Sequence, residues 1–121
     1  MTVCNRGVDN LPDSTFDAVF CISVLEHVEP VSERLAWSNL ASRVGRGGLL
    51  FITTDCVEHK GRTYMWDQYR RQNFTLEMLK ERVEGLTSHG DFTPMGQPDW
   101  EWKGPQVHDY TFFRVGLIKN R

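Results

Sequence analysis

The sequence predicts an α/β domain, a mostly parallel sheet of about four strands with an antiparallel strand at its C-terminal end. Two apolar segments, at 16–24 and 49–54, have the length and composition of strands buried on both faces. A helical pattern separates them, and a strand–helix–strand unit of this length keeps its strands parallel with a right-handed crossover. The segment YTFFRVGLIK at 110–119 predicts the final strand.

The segment at 16–24 is the centre of the predicted fold. Its aromatic and β-branched residues favour a strand over a helix. Where it ends, the sequence turns polar at Ser23, Glu26 and His27. Ligands of open α/β sheets bind at the carboxyl ends of the strands, so this cluster is the first candidate site.

Two helices are predicted from their boundary residues. The first begins near Pro30 and stops at Gly45, while the second follows Thr75 as its N-cap and ends at Gly85 in the left-handed conformation. Residues 87–92 are interpreted as one more strand. The predicted order across the sheet is strand 16–24, strand 49–54, the final strand, and strand 87–92 at the far edge. Apolar residues at helical spacing form one face of the first helix: Ala36, Trp37, Leu40, Ala41 and Val44.

The composition is that of one globular domain over residues 1–121, with 40% hydrophobic and 25% charged residues. A net charge of −2 gives no reason to expect nucleic acid or an acidic membrane as a partner. No apolar stretch approaches the roughly 20 residues that span a bilayer. The three cysteines are widely spaced, which favours a reduced, cytoplasmic protein.

Four short motifs occur in a fixed order: LP at 11–12, FD at 16–17, LEHV at 25–28 and GGLLFI at 47–52. Together they resemble the second half of the class I S-adenosylmethionine-dependent methyltransferases, of the type 11 kind. The resemblance covers nearly the whole chain but only the C-terminal half of the family's domain. It implies a partial Rossmann-like methyltransferase fold.

The resemblance also implies S-adenosyl-L-methionine (SAM) as the cofactor. It places Asp9, Asn10 and Leu11 in the loop that lies along the adenine, although a solvated turn before a strand explains them equally well. The family's usual grips on SAM are a glycine-rich loop after its first strand and an acidic residue ending its second strand. Neither is present in this sequence.

At the end of strand 16–24, the resemblance makes Ile22 and Ser23 neighbours of the cofactor. Glu26 is expected to contact the methionine end of SAM or the substrate. His27 is the candidate catalytic base, because imidazole titrates near neutral pH. The alternative is that Glu26 and His27 form a capping pair at the strand-to-helix turn.

The loop at 57–73 follows the second strand at the ligand-binding edge. Its Tyr64, Trp66 and Tyr69 are candidate contacts for a planar or apolar small-molecule acceptor, with packing over the core or a partner subunit as the alternative. No metal site is predicted, because the available ligand types match no standard spacing: Asp55, Cys56, His59 and His108.

The missing first strand would leave strand 16–24 as an exposed apolar edge, which invites pairing with another chain. We expect a second copy, a complementary N-terminal half or a swapped segment to fill it, unless the sequence is a fragment of a longer protein. Two functions follow. The chain is half of a SAM-dependent methyltransferase, active when the other half is supplied, or it is a non-catalytic remnant that works as an oligomerisation or binding module.

Overall fold

The computed structural model describes residues 13–58, 74–104 and 110–121. Its elements are β1 (Phe16–Ile22), α1 (Glu33–Ser42), β2 (Val44–Val57), α2 (Leu76–Thr87), β3 (Phe92–Pro94) and β4 (Tyr110–Lys119). The described strands form one sheet in the order β1-β2-β4-β3, which confirms the predicted fold class and, apart from the residues of the edge strand β3, the predicted strand order. β1 is parallel to β2, and β4 is antiparallel to both of its neighbours.

Both helices pack against one face of the sheet, which we call the covered face. On β2 this face presents Leu50 and Ile52, neither of which is exposed to solvent. α1 contributes Ala36, Trp37, Leu40 and Ala41, as predicted from its periodicity. Val44, predicted on the same helix face, is instead the first residue of β2, because the helix ends at Ser42. α2 contributes Leu79 and Val83. The covered face is therefore the hydrophobic core of the chain. Its remaining buried members include Cys21 on β1, Cys56 on β2, and Phe113, Val115 and Leu117 on β4.

A buried ion pair joins the two helices. Arg82 Nε donates to Glu33 Oε2 at 2.7 Å, and Arg82 Nη2 donates to Glu33 Oε1 at 2.7 Å, a bidentate geometry. The hydrogen bonds to Glu33 raise the pKa of Arg82. Forty-nine positions separate the two residues, so no helical spacing in the sequence signals the pair.

Several element boundaries differ from the prediction. β1 ends at Ile22 rather than at residue 24, because the chain turns sharply there. Pro30 lies in a separate 3-10 turn, and α1 begins at Glu33. α1 ends at Ser42, before Gly45, because the chain already enters β2 at residue 44.

The second helix also runs past its predicted stop. Gly85 lies inside α2, where a glycine costs about 1 kcal/mol relative to alanine but is tolerated. The left-handed turn falls instead at Gly90, with φ of 77°. The strand predicted at 87–92 is therefore wrong, because helix and turn occupy most of it, and β3 begins only at Phe92. Thr75 caps α2 as predicted, with its hydroxyl accepting from the Met78 N–H at 3.2 Å.

The prediction that strand 16–24 is buried on both faces is wrong for the chain as described. Phe20 is 62% exposed and Ile22 is 53% exposed. α1 and α2 both lie on the covered face, so no helix of the described residues shields the opposite one, which we call the open face. Its side chains are Ala18, Phe20 and Ile22 of β1, Leu49, Phe51 and Thr53 of β2, Phe112, Arg114 and Ile118 of β4, and Met95 after β3.

None of the described helices has the length and apolar character that a membrane span requires.

Candidate functional site

The carboxyl ends of β1 and β2 meet at one edge of the sheet, as the sequence predicted for two parallel strands. Ile22 of β1 stands opposite Thr53 of β2 in the ladder. The next residue, Ser23, donates its backbone N–H to both the carbonyl and the hydroxyl oxygen of Thr53, each at 3.1 Å. The predicted site is therefore anchored to the sheet at its first residue.

Ser23 has a strained backbone. Its φ of 53° makes it the one non-glycine residue in the left-handed region within the described ranges. For an L-residue this conformation costs roughly 1–2 kcal/mol. Strain of this kind concentrates at functional sites, where the surrounding structure enforces it. Here it turns the chain abruptly at the strand end and leaves Ser23 exposed.

Glu26 braces the turn that follows β1. It lies in a one-turn 3-10 helix, Leu25–His27, and is completely buried. Its Oε2 accepts from the Asp55 N–H at 2.7 Å and from the Thr54 hydroxyl at 3.1 Å. Glu26 therefore ties the turn to the end of β2, which fits the capping alternative that the sequence left open. Its other oxygen, Oε1, is buried without a hydrogen-bond partner among the described residues.

His27 lies in the same turn but is exposed. Its backbone N–H donates to the Val24 carbonyl at 2.9 Å. Ile22, Ser23 and His27 are thus exposed at the end of β1 and in the turn after it, and we call these three residues the rim. Glu26 of the same turn is buried. The other candidate site residues predicted from the sequence, Asp9, Asn10, Leu11, Tyr64, Trp66 and Tyr69, lie outside the described residues.

The site also includes residues that the sequence reasoning did not assign to it. Thr53, Thr54 and the backbone of Asp55 hold Ser23 and Glu26 in place. The sequence did contain a signal for these residues, because the second apolar segment also ends in polar residues. Two parallel neighbouring strands end at the same edge of a sheet, so those residues were expected near Ser23.

The two buried cysteines near this region are chemically quiet. Burial raises the pKa of the Cys21 thiol to about 11, with the charge of Glu26 as the second cause. Burial also raises the pKa of Cys56, to about 12. Because the thiolate is the nucleophile, neither cysteine is suited to nucleophilic catalysis near neutral pH. In the described part of the chain, no three His, Cys, Asp or Glu side chains are grouped as a metal site would require.

Of the residues that the sequence predicted beside SAM, Ile22 and Ser23 are exposed at the end of β1, where they offer an apolar side chain and a hydroxyl. The two carboxylates at these ends, Glu26 and Asp55, are buried. Neither is therefore presented as the exposed acceptor that ribose hydroxyls need.

No protein-family model and no curated protein sequence matches this chain. Solved structures do match its fold. One is the N-methyltransferase NodS from Bradyrhizobium japonicum in complex with S-adenosylhomocysteine, with a TM-score of 0.64 and 12% identity over 98% of this chain and 54% of that one.

Two further structures show the same fold. One is the 1,6-didemethyltoxoflavin-N1-methyltransferase of Burkholderia thailandensis, with its TM-score of 0.63 and 18% identity over 94% of this chain and 48% of that one. The other is the cyclase SpnF, with a TM-score of 0.65 and 15% identity over 95% of this chain and 55% of that one. At these identities the likeness shows the fold, that of the SAM-dependent methyltransferases. The chain spans about half the length of each of these proteins.

Proposed function

We propose that this chain is the C-terminal half of a SAM-dependent methyltransferase domain, active in methyl transfer when a further segment completes the site. The observation that carries the proposal is the coverage of the structural match. Nearly all of this chain superposes on about half of NodS, which was solved with the product of methyl donation, S-adenosylhomocysteine. The match covers 98% of this chain, whose strand end at Ser23 is strained and exposed.

The chain's own residues would position the reactants. SAM, when bound, supplies the activated methyl group, so the protein's tasks are orientation and the exclusion of water. Ile22 and Ser23 would contact the cofactor. Glu26 holds the turn that follows them in place by accepting hydrogen bonds from Asp55 and Thr54. His27 is the candidate base, because its side chain is exposed at the same rim. Tyr64, Trp66 and Tyr69 remain the candidates for contact with the acceptor.

The unpaired edge of β1 is the place where the fold would be completed. Among the described residues, β1 pairs with β2 on one side and has no strand on the other. Unpaired backbone groups at such an edge are a template for a further strand. A strand from a complementary N-terminal half, or from a second copy, would add the missing side of the cofactor site next to Ser23.

The second candidate function, a non-catalytic binding module, is favoured by a separate observation. The open face exposes large apolar side chains, Phe20 and Phe112 among them, as binding surfaces do. The likeness to a cyclase, SpnF, also shows that this fold does not by itself specify methyl transfer.

Nuclear magnetic resonance separates the two functions. In a titration of the ¹⁵N-labelled chain with millimolar S-adenosylhomocysteine, a half-site should shift the amide signals of Ile22, Ser23 and the end of β2. Ser23→Val should abolish the shifts, because a β-branched residue resists a φ of 53°. Ser88→Val, at the end of α2, is the matched control. Absence of shifts at the β1 end would reject the cofactor site and leave the binding module.

A further inference from the structure

A cavity of about 460 Å³ lies between the end of β2 and the start of α2. Backbone contacts hold these two elements together, because the Val57 N–H donates to the Phe74 carbonyl at 2.8 Å and Val57 forms a bridge with Thr75. Val57 and Thr75 are both buried, and both line the cavity. The cavity therefore has a fixed backbone on one side, and its volume is within the usual range of small-molecule sites.

Two tryptophans, Trp100 and Trp102, supply the aromatic part of the lining. The Trp100 ring stacks on Phe113 of β4 with the ring centroids 5.4 Å apart, which fixes its orientation. Both tryptophans are half-buried and pack against the hydrophobic core. The face of an indole ring attracts cations, because the π electrons make it negative.

The charged side chains that line the cavity, within the described part of the chain, are all glutamates: Glu58, Glu77 and Glu81. Arg34 donates to Glu81 at 2.8 Å and Arg82 lies 3.3 Å from the same carboxylate, so the charge of Glu81 is offset. Glu77, by contrast, forms no ion pair with a described residue. It leaves the lining with a negative charge that a bound cation would neutralise.

The start of α2 is poorly suited to an anion. The Thr75 hydroxyl already accepts from the Met78 N–H at 3.2 Å, so the helix caps itself. Glu77 adds a carboxylate in the first turn, where it interacts favourably with the positive end of the helix dipole. A phosphate or carboxylate ligand would meet like charge at this position, whereas a cation would not.

We propose that this cavity binds an organic cation with apolar substituents, such as a methylated ammonium group. The tryptophan rings would contact the methyl groups, and Glu77 would balance the charge. Aromatic side chains recognise quaternary ammonium ligands in this way. Binding of the cation does not depend on the proposed methyl transfer and is measured without SAM.

The test compares choline with its uncharged analogue, in which a carbon atom replaces the nitrogen. In ¹⁵N spectra of the full chain, millimolar choline should shift the indole N–H signals of Trp100 and Trp102. The indole signal of Trp37, which is buried in the core, should not move. The uncharged analogue has the same shape but should bind at least about threefold more weakly, because it lacks the attraction between a cation and an aromatic ring.

Two variants of equal charge test the role of Glu77. Glu77→Gln should weaken choline binding by about threefold or more, because it removes the negative charge from the lining. Glu84→Gln is the matched control: Glu84 is exposed on the same helix but does not line the cavity, and its substitution should leave binding unchanged. Circular dichroism checks that each variant keeps its fold.

Three results would overturn the proposal. One is the absence of shifts at Trp100 and Trp102 at tens of millimolar choline. Another is equal binding of choline and the uncharged analogue. The third is the same affinity for choline in Glu77→Gln and Glu84→Gln.

Discussion

The two faces of the sheet differ although the same strands form them. On β2, Leu50 is fully buried against the helices, while Leu49, its neighbour in sequence, faces the other side and is only half-buried. Side chains of a strand alternate between faces, so one apolar segment serves two surfaces at once. The covered face is a finished core, whereas no described helix shields the open face. An apolar segment alone therefore cannot show which of its faces the chain itself covers.

The largest change in the free energy of unfolding is expected at the buried Glu33–Arg82 ion pair, which lies beside the covered face. Arg82→Ala leaves the buried Glu33 carboxylate without its partner, which should lower the free energy of unfolding by about 3–5 kcal/mol. Arg34→Ala is the control, because its pair with Glu81 is exposed and such pairs contribute about 1 kcal/mol or less. Urea denaturation measures both. Equal losses for the two variants would contradict the buried link between the helices.

The comparison of the faces is tested most simply by one substitution at two adjacent positions. Leu50→Ala should cost about 2–5 kcal/mol, because it opens a cavity in the core. Leu49→Ala should cost less than about 1.5 kcal/mol, because its site is partly solvated already. The readout is again urea denaturation, performed at a concentration low enough to keep the chain monomeric. A Leu49→Ala loss as large as that of Leu50→Ala would show that the open face is covered in the isolated chain.

Substitutions of Glu26 test whether its buried hydrogen bonds to the end of β2 hold the turn after β1 in place. Glu26→Ala leaves the Asp55 N–H and the Thr54 hydroxyl without their acceptor, at a cost of about 2–4 kcal/mol. Glu26→Gln keeps an oxygen in place and should cost about 1 kcal/mol. Hydrogen exchange at the Asp55 amide reports the bond directly. If that amide stays equally protected in Glu26→Ala, Glu26 does not brace the turn.

The smallest expected change in stability comes from the buried thiols of Cys21 and Cys56, and it appears only at high pH. The pKa of Cys21 rises from 9.0 to about 11 on folding, and that of Cys56 to about 12. The folded state therefore holds these protons more tightly than the unfolded state. Their contribution to stability is complete below about pH 9 and is lost as the pH rises toward 11–12.

Replacing both cysteines by alanine checks this assignment. The loss of stability between pH 9 and pH 12 should become shallower in the double variant than in the unchanged chain. Other groups that titrate in the range act equally on both proteins. An identical slope would show that the buried thiols do not contribute.

Local patterns predicted most of the fold. The strand order, the parallel ladder, the apolar face of α1 and the cap at Thr75 follow from periodicity, connection length and capping chemistry, all of which are local in sequence. The polar end of the first strand also marked Ser23, where the chain turns sharply with a φ of 53°. Helix ends were less predictable, because Gly85 is compatible with both a helix interior and a helix stop.

The features that the sequence did not predict are tertiary contacts between distant parts of the chain. The Glu33–Arg82 pair joins two helices that are distant in sequence, and the burial of Glu26 depends on Thr54 and Asp55 at the end of another strand. Phe20 is exposed because both described helices pack on the covered face, a fact that the residues of its own strand do not reveal. Neither a contact between residues distant in sequence nor the lack of a described helix over the open face produces a periodic pattern in the sequence.

We propose that this chain presents one finished face and only one side of a cofactor site, which a further segment has to complete. Calorimetric titration of the purified chain with S-adenosylhomocysteine tests it most directly. We expect a dissociation constant weaker than about 100 μM, because Ile22 and Ser23 would offer only part of the contacts that the cofactor needs. Binding of one ligand per chain in the low micromolar range would contradict it, since the site would then be complete without any further half.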